Sequence, residues 1–196
     1  MYRDRIERFA EGFAHPSWGV SHCKRVYEVA STLAREEGLV VDDDVLHAVA
    51  YLHDAGAFDA WKVDGCDQAE CSARAAEAVL PELDFPAAKT PIVAEVIRGH
   101  SFEFAPGPRP EARVFHDADI LDFMGSVGVT RLLSIVGIED WTPDVQTAVG
   151  VIAQFADELP PKLVLPAAEQ LAATRGAEMR LYLYGLRQET AVLAAL

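Results

Sequence analysis

Three stretches of the chain set imidazole or carboxylate groups into otherwise apolar sequence: "VSHCKRV" carries His22, "AYLHDAG" carries His53 and Asp54, and "FHDADILDF" carries Asp117 and Asp119. Nitrogen and oxygen donors without thiolate suit a hard or borderline divalent ion such as Mn, Fe, Ni, Co, Mg or Zn, with water completing the coordination. The separations are too long for one helix. The ligands must come from three helices that converge in a core, as metal sites in helical bundles do.

The flanking sequence supplies those helices. Val20, Cys23, Val26, Val29, Ala30 and Leu33 recur at three- and four-residue steps, which predicts one helix with an apolar face beside His22 and Arg25. "VVDDDVLHAVAYLHD" opens on aspartates suited to a helix N-terminus and then places Val45, Leu46, Val49, Ala50 and Leu52 at helical intervals, with Gly56 as the predicted stop. "CDQAECSARAAEAVLPEL" predicts a helix ending at Pro81, and "TPIVAEVIRGH" one between Pro91 and Gly99. "APGPRPEA" is a loop following "GHSFEF" and is expected to form a lip over a site. Helices follow from Glu111 through Phe123, in "GSVGVTRLLSIVG", and in "TPDVQTAVGVIAQFADEL", "LPAAEQLAATR" and "EMRLYLYGLRQETAVLAAL". No segment shows sustained period-two alternation, so the expected fold is all-α, an irregular multi-helix bundle over one domain, 1–196.

Composition excludes several function classes. Seventeen Lys and Arg oppose 31 Asp and Glu, and a net charge of −14 repels duplex nucleic acid and anionic membrane. Cys23, Cys66 and Cys71 are odd in number and lack Cys-x-x-Cys spacing; they read as reduced thiols of a cytoplasmic protein. No apolar run approaches the roughly 20 residues that span a bilayer. His47 and His116, taken singly, read as structural histidines. "MRLYLYGL" is apolar enough to cover either the core or a second copy of the chain, which leaves a homodimer open.

In order, and over about residues 15 to 135, "SHCKRV", "AYLHDAG" and "FHDADILDFMGSVGVTR" resemble the motifs of the HD superfamily of metal-dependent phosphohydrolases. The last string is similar to the bacterial branch of small HD proteins that hydrolyse nucleotides and related phosphates. The resemblance implies an HD-type helical domain with a helical extension over about 140–196. It implies His22, His53, Asp54 and Asp119 as ligands of a divalent ion. Asp117 is the alternative ligand, or a carboxylate that orients a ligand or water. Asp54, with His53, is the expected catalytic group, and His100 stands where many relatives have a further histidine near the substrate or a second metal. Many relatives place Lys directly after the glycine of His-Asp-x-Gly, whereas this chain has Ala57. Arg25, one turn from His22, and Arg131 are the expected phosphate contacts in its place.

The implied activity is hydrolysis of a phosphoester or phosphoanhydride of a small molecule, a nucleotide foremost. The missing Lys leaves room for other chemistry known on the HD scaffold, hydration of a nitrile or cyanamide or di-iron oxygenation. A non-catalytic module, in which the metal staples helices, is the remaining alternative.

Overall fold

The structure, a computed structural model, describes residues 1–190. All regular structure among the described residues is helical, and the chain divides into two compact units, Met1–Ala118 and the residues from Asp119 onward.

The first unit is organised around α3 (Asp43–Leu52), which follows α1 (Tyr2–Glu11) and α2 (Val20–Glu36). Every residue of α3 from Val45 to Leu52 is buried, including the polar His47. Such a helix needs neighbours on all sides. They are α1, α2, α4 (Gln68–Glu82) and α5 (Thr90–Arg98). The Asp42 carboxylate starts α3 by accepting from the amides of Asp44 and Val45. The helix stops at Leu52, four residues short of the glycine that its sequence pointed to. A 3-10 turn, Ala55–Ala57, follows.

Gly56 thus has a packing role. A Cβ there would lie 2.5 Å from the Gln68 carbonyl oxygen, 2.6 Å from the Ser72 nitrogen and 2.7 Å from the Cys71 Cβ. Its own amide donates to Ser72 Oγ at 2.8 Å. Only glycine lets the turn come this close to α4.

Helix α6 (Pro110–Asp122) begins in the first unit and runs into the second, which also contains α7 (Gly125–Ser134), α8 (Val145–Glu158), a 3-10 turn at Pro160–Lys162 and α9 (Pro166–Thr190). Within this unit α7, α8 and α9 pack on one another. Two further boundaries differ from the sequence reading. Helix α4 continues one residue past Pro81, which falls in the last turn and so removes only one intrahelical bond. The two segments expected on either side of Gly176 form the single helix α9. One glycine inside a helix costs only about 1 kcal/mol and does not break it. Residues 191–196, the end of the last predicted helix and of the predicted domain, lie outside the described residues. No helix among the described residues is long and apolar enough to cross a membrane.

An ion cluster ties the start of α3 to its neighbours. Asp44 receives Arg3 Nη2 at 2.5 Å and Lys89 Nζ at 2.7 Å, and Lys89 also reaches Asp42 at 2.8 Å. The Lys89 ammonium, working with Arg3 and Tyr2 against the cost of burial, holds the Asp44 carboxyl well below the usual carboxylate range. A carboxyl depressed in the folded state stabilises the fold above its unfolded pKa, about 4, and that contribution disappears as pH falls from there through the depressed value. Replacing Lys89 by Ala is expected to lower the unfolding free energy by about 1 kcal/mol at pH 7. In urea melts the difference from wild type should shrink as pH is taken below about 4. A second substitution, Gly56→Ala, should cost about 1–3 kcal/mol in the same melts, because backbone atoms of α4 have nowhere to move.

A candidate metal centre at the end of the central helix

The first turn of α2 and the C-terminus of α3 deliver three donors to one point. His22, fully buried, follows the helix start at Gly19, whose carbonyl accepts from the His22 amide at 2.9 Å. Gly19 is itself required there, since a Cβ would fall 2.6 Å from the His15 carbonyl oxygen. His53 is the C-cap of α3, 1% exposed, and its amide still completes the helix by donating to Val49. Asp54 comes next, half-buried, at the entrance to the 3-10 turn.

The Nε2 atoms of His22 and His53 are 3.1 Å apart, and Asp54 Oδ2 lies 3.1 Å from the second and 3.5 Å from the first. These atoms form the one cluster of its kind among the described residues able to hold a metal ion. The triangle has the dimensions of a coordination face. With bonds of about 2.1 Å, adjacent donors are about 3.0 Å apart in an octahedron and about 3.4 Å apart in a tetrahedron.

The donor chemistry fits as well. His53 Nδ1 lies 3.1 Å from the Ala50 carbonyl oxygen, which can only accept, so a neutral ring carries its proton on Nδ1 and turns the Nε2 lone pair inward. Gln68 Nε2 donates to Asp54 Oδ1 at 2.8 Å, which leaves Oδ2 to the two imidazoles. Burial raises the Asp54 carboxyl, but His53 and then His22 outweigh it and hold the group well below the ordinary range, as an anion. Ligation of a cation requires both imidazoles to be neutral, and the three donors together would then bring a charge of −1 to it.

The other residues singled out in the sequence fall in different places. His100, just beyond α5, has its ring 5.3 Å from that of His53, nearly edge to face, with Nδ1 2.6 Å from the Ile97 carbonyl oxygen. Phe115 of α6 packs edge-on against His53 with centroids 4.9 Å apart. Asp119 is one turn beyond Phe115, about 40° away around the helix, whereas Asp117 is about 160° away on the other side. Asp119 is 7% exposed and opens the second unit. Asp117, fully buried, accepts from His116 Nδ1 at 2.8 Å. Arg25 is half-buried on α2. Arg131, in the second unit, is 4% exposed, donates to Asp122 Oδ2 at 2.9 Å and lies 4.0 Å over the Phe123 ring. Ala57 closes the 3-10 turn.

Sequence reasoning missed Gln68, Ser72 and Phe115. Nothing in their local context marks them; only the approach of α4 and α6 to the end of α3 does. His47, read as structural, is: its Nε2 lies 3.0 Å from Glu7 Oε1, and burial pushes its pKa down.

Known proteins share the family and the fold of this chain. The family model described as HD domain matches residues 19–124, more than half of the chain. No curated protein matches the sequence. Among solved structures, the chain resembles Bacillus subtilis YpgQ in complex with ADP (TM-score 0.71, 21% identity, 95% of this chain and 97% of that one). It also resembles a Lactobacillus plantarum protein (0.73, 23%, 97% of each). A third is a predicted HD superfamily hydrolase from an uncultured Thermotogales bacterium (0.59, 22%, 98% and 90%).

Gln68→Ala removes the bond to Asp54 Oδ1 from an exposed side chain. It should weaken Mn2+ binding about tenfold in calorimetric titration without changing the circular dichroism spectrum.

Proposed function

The chain belongs to the HD-domain family, and from that premise we propose that it is a metal-dependent phosphohydrolase acting on a phosphoester or phosphoanhydride of a small molecule, a nucleotide foremost. The observation that carries the reading is the triangle of His22 Nε2, His53 Nε2 and Asp54 Oδ2, with edges of 3.1, 3.1 and 3.5 Å. The ADP complex of the structurally similar YpgQ supports a nucleotide as the ligand class.

In this reading His22, His53 and Asp54 hold a divalent ion, with Asp119 as the fourth ligand on the strength of the sequence resemblance alone. When bound, such an ion supplies Lewis acidity, polarising a phosphoryl oxygen and lowering the pKa of water. The protein does the rest. Asp54 Oδ1 has a second lone pair beside the one taken by Gln68, and that lone pair accepts a hydrogen bond from the attacking water and orients it. His53 is kept in one tautomer by the Ala50 carbonyl. His100, held by the Ile97 carbonyl beside the His53 ring, is the further histidine assigned to substrate in this reading. Arg25, one turn from His22, supplies the cation that Ala57 does not.

Purified protein incubated with nucleoside triphosphates and generic phosphomonoesters should release phosphate or pyrophosphate with Mn2+, Co2+, Ni2+ or Mg2+, and stop on chelation. His53→Ala and Asp54→Ala should lose both bound metal and turnover, the latter by at least about a thousandfold. An Asp54→Ala protein with full metal content and full activity would overturn the assignment.

A further inference from the structure

Helices α4 and α5 each hold one side of the proposed site. Helix α4 holds the Asp54 turn, through Gln68 on Asp54 Oδ1, Ser72 on the Gly56 amide and the close fit of Gly56 itself. Helix α5 holds His100, whose amide donates to the Ile97 carbonyl at 3.3 Å and whose Nδ1 lies 2.6 Å from the same oxygen. How far His100 stands from Asp54 therefore depends on the register of α5 along α4. Apolar packing defines that register weakly. The buried residues of α4 include Ala69, Ala73, Ala75 and Ala76, while those of α5 include Val93, Val96 and Ile97. Register between helices comes from side chains of one lodging between side chains of the other, and methyl groups form only low ridges and shallow grooves.

Arg98, in the last turn of α5, adds a directional constraint. Its Nε donates to Glu70 Oε2 at 2.7 Å, and its Nη2 donates to Glu77, 3.1 and 3.2 Å from the two carboxylate oxygens. Glu70 and Glu77 stand seven residues apart, two turns along one face of α4 and about 10 Å from each other along its axis. One contact would leave the end of α5 free to pivot. Two contacts made by one planar guanidinium fix both its position and its direction, which the point charge of a lysine cannot do. Arg74 Nε donates to the other oxygen of Glu70 at 2.8 Å, so that carboxylate is held from both sides. Only Gly99 separates Arg98 from His100.

We propose that Arg98 is a positioning residue, whose clamp on Glu70 and Glu77 sets the place of His100 relative to Asp54. Ion pairs as exposed as these contribute little to stability. What this clamp contributes is register. Its effect on turnover rests on the phosphohydrolase reading above; the placement of His100 does not.

A double-mutant cycle and nuclear magnetic resonance of the metal-free protein test the proposal together. In the cycle, kcat/KM for phosphate or pyrophosphate release from nucleoside triphosphates with Mn2+ is measured for wild type, Arg98→Lys, His100→Ala and the double variant. Arg98→Lys keeps the charge but not the fork, and it should lower kcat/KM about tenfold alone and less than about twofold in the His100→Ala background. Equal losses in both backgrounds mark a merely structural contact and overturn the proposal. In metal-free protein labelled with 15N-histidine, Arg98→Lys and Arg98→Ala should move the His100 ring resonances, assigned by their loss in His100→Ala, and leave those of His47 in place. His100 resonances that stay put in both variants overturn the proposal without reference to metal or turnover. Wild-type protein that turns over no nucleotide overturns the phosphohydrolase reading alone, and the resonances then decide the role of Arg98.

Discussion

Two imidazole nitrogens 3.1 Å apart in a buried place, with a carboxylate oxygen at 3.1 Å from one of them, set the terms for the first unit of this protein. Donor atoms with inward lone pairs repel one another unless a cation or a proton lies among them. Holding them together therefore demands a rigid frame. Helix α3 supplies it by being buried along its length, so that His53 and Asp54 leave its end in a fixed direction. Helix α2 presents His22 from its first turn.

Around that triangle the supporting contacts each remove one freedom. The Ala50 carbonyl fixes the His53 proton, Phe115 fixes the ring against its edge, and Gln68 assigns the two oxygens of Asp54 to different tasks. Gly56 and Ser72 then lock the turn itself to α4. The acidic residues at the far end of α3 serve another purpose. Asp42 caps the helix while Lys89 and Arg3 neutralise Asp44, so the helix is anchored at both ends by different chemistry.

Much of this was legible from sequence, for identifiable reasons. An apolar helix that ends in His-Asp, preceded one helix earlier by a lone His, is unusual enough to mark the three residues that meet in the candidate metal cluster. The all-α class follows from three- and four-residue periodicity without alternation. What stayed hidden depends on distance in sequence. Gln68 meets Asp54 across 14 positions, and Ser72 meets Gly56 across 16. Gly56 looked like a helix stop because glycine often is one. Its real constraint, the closeness of α4, is visible only in three dimensions. Gly176 misled in the opposite sense, since packing of α9 on α7 and α8 overrides the weak local penalty of one glycine.

The metal reading proposed above requires His22 and His53 to ligate one ion through Nε2. Pulsed electron paramagnetic resonance on Mn2+-loaded protein, prepared with and without isotopically labelled histidine, reads directly bound imidazole nitrogens. Two inequivalent histidine nitrogens are expected on a single tightly bound Mn2+, reduced to one in His22→Ala. Mn2+ bound with no histidine nitrogen, as on the carboxylates of a surface whose chain carries a net charge of −14, would contradict it.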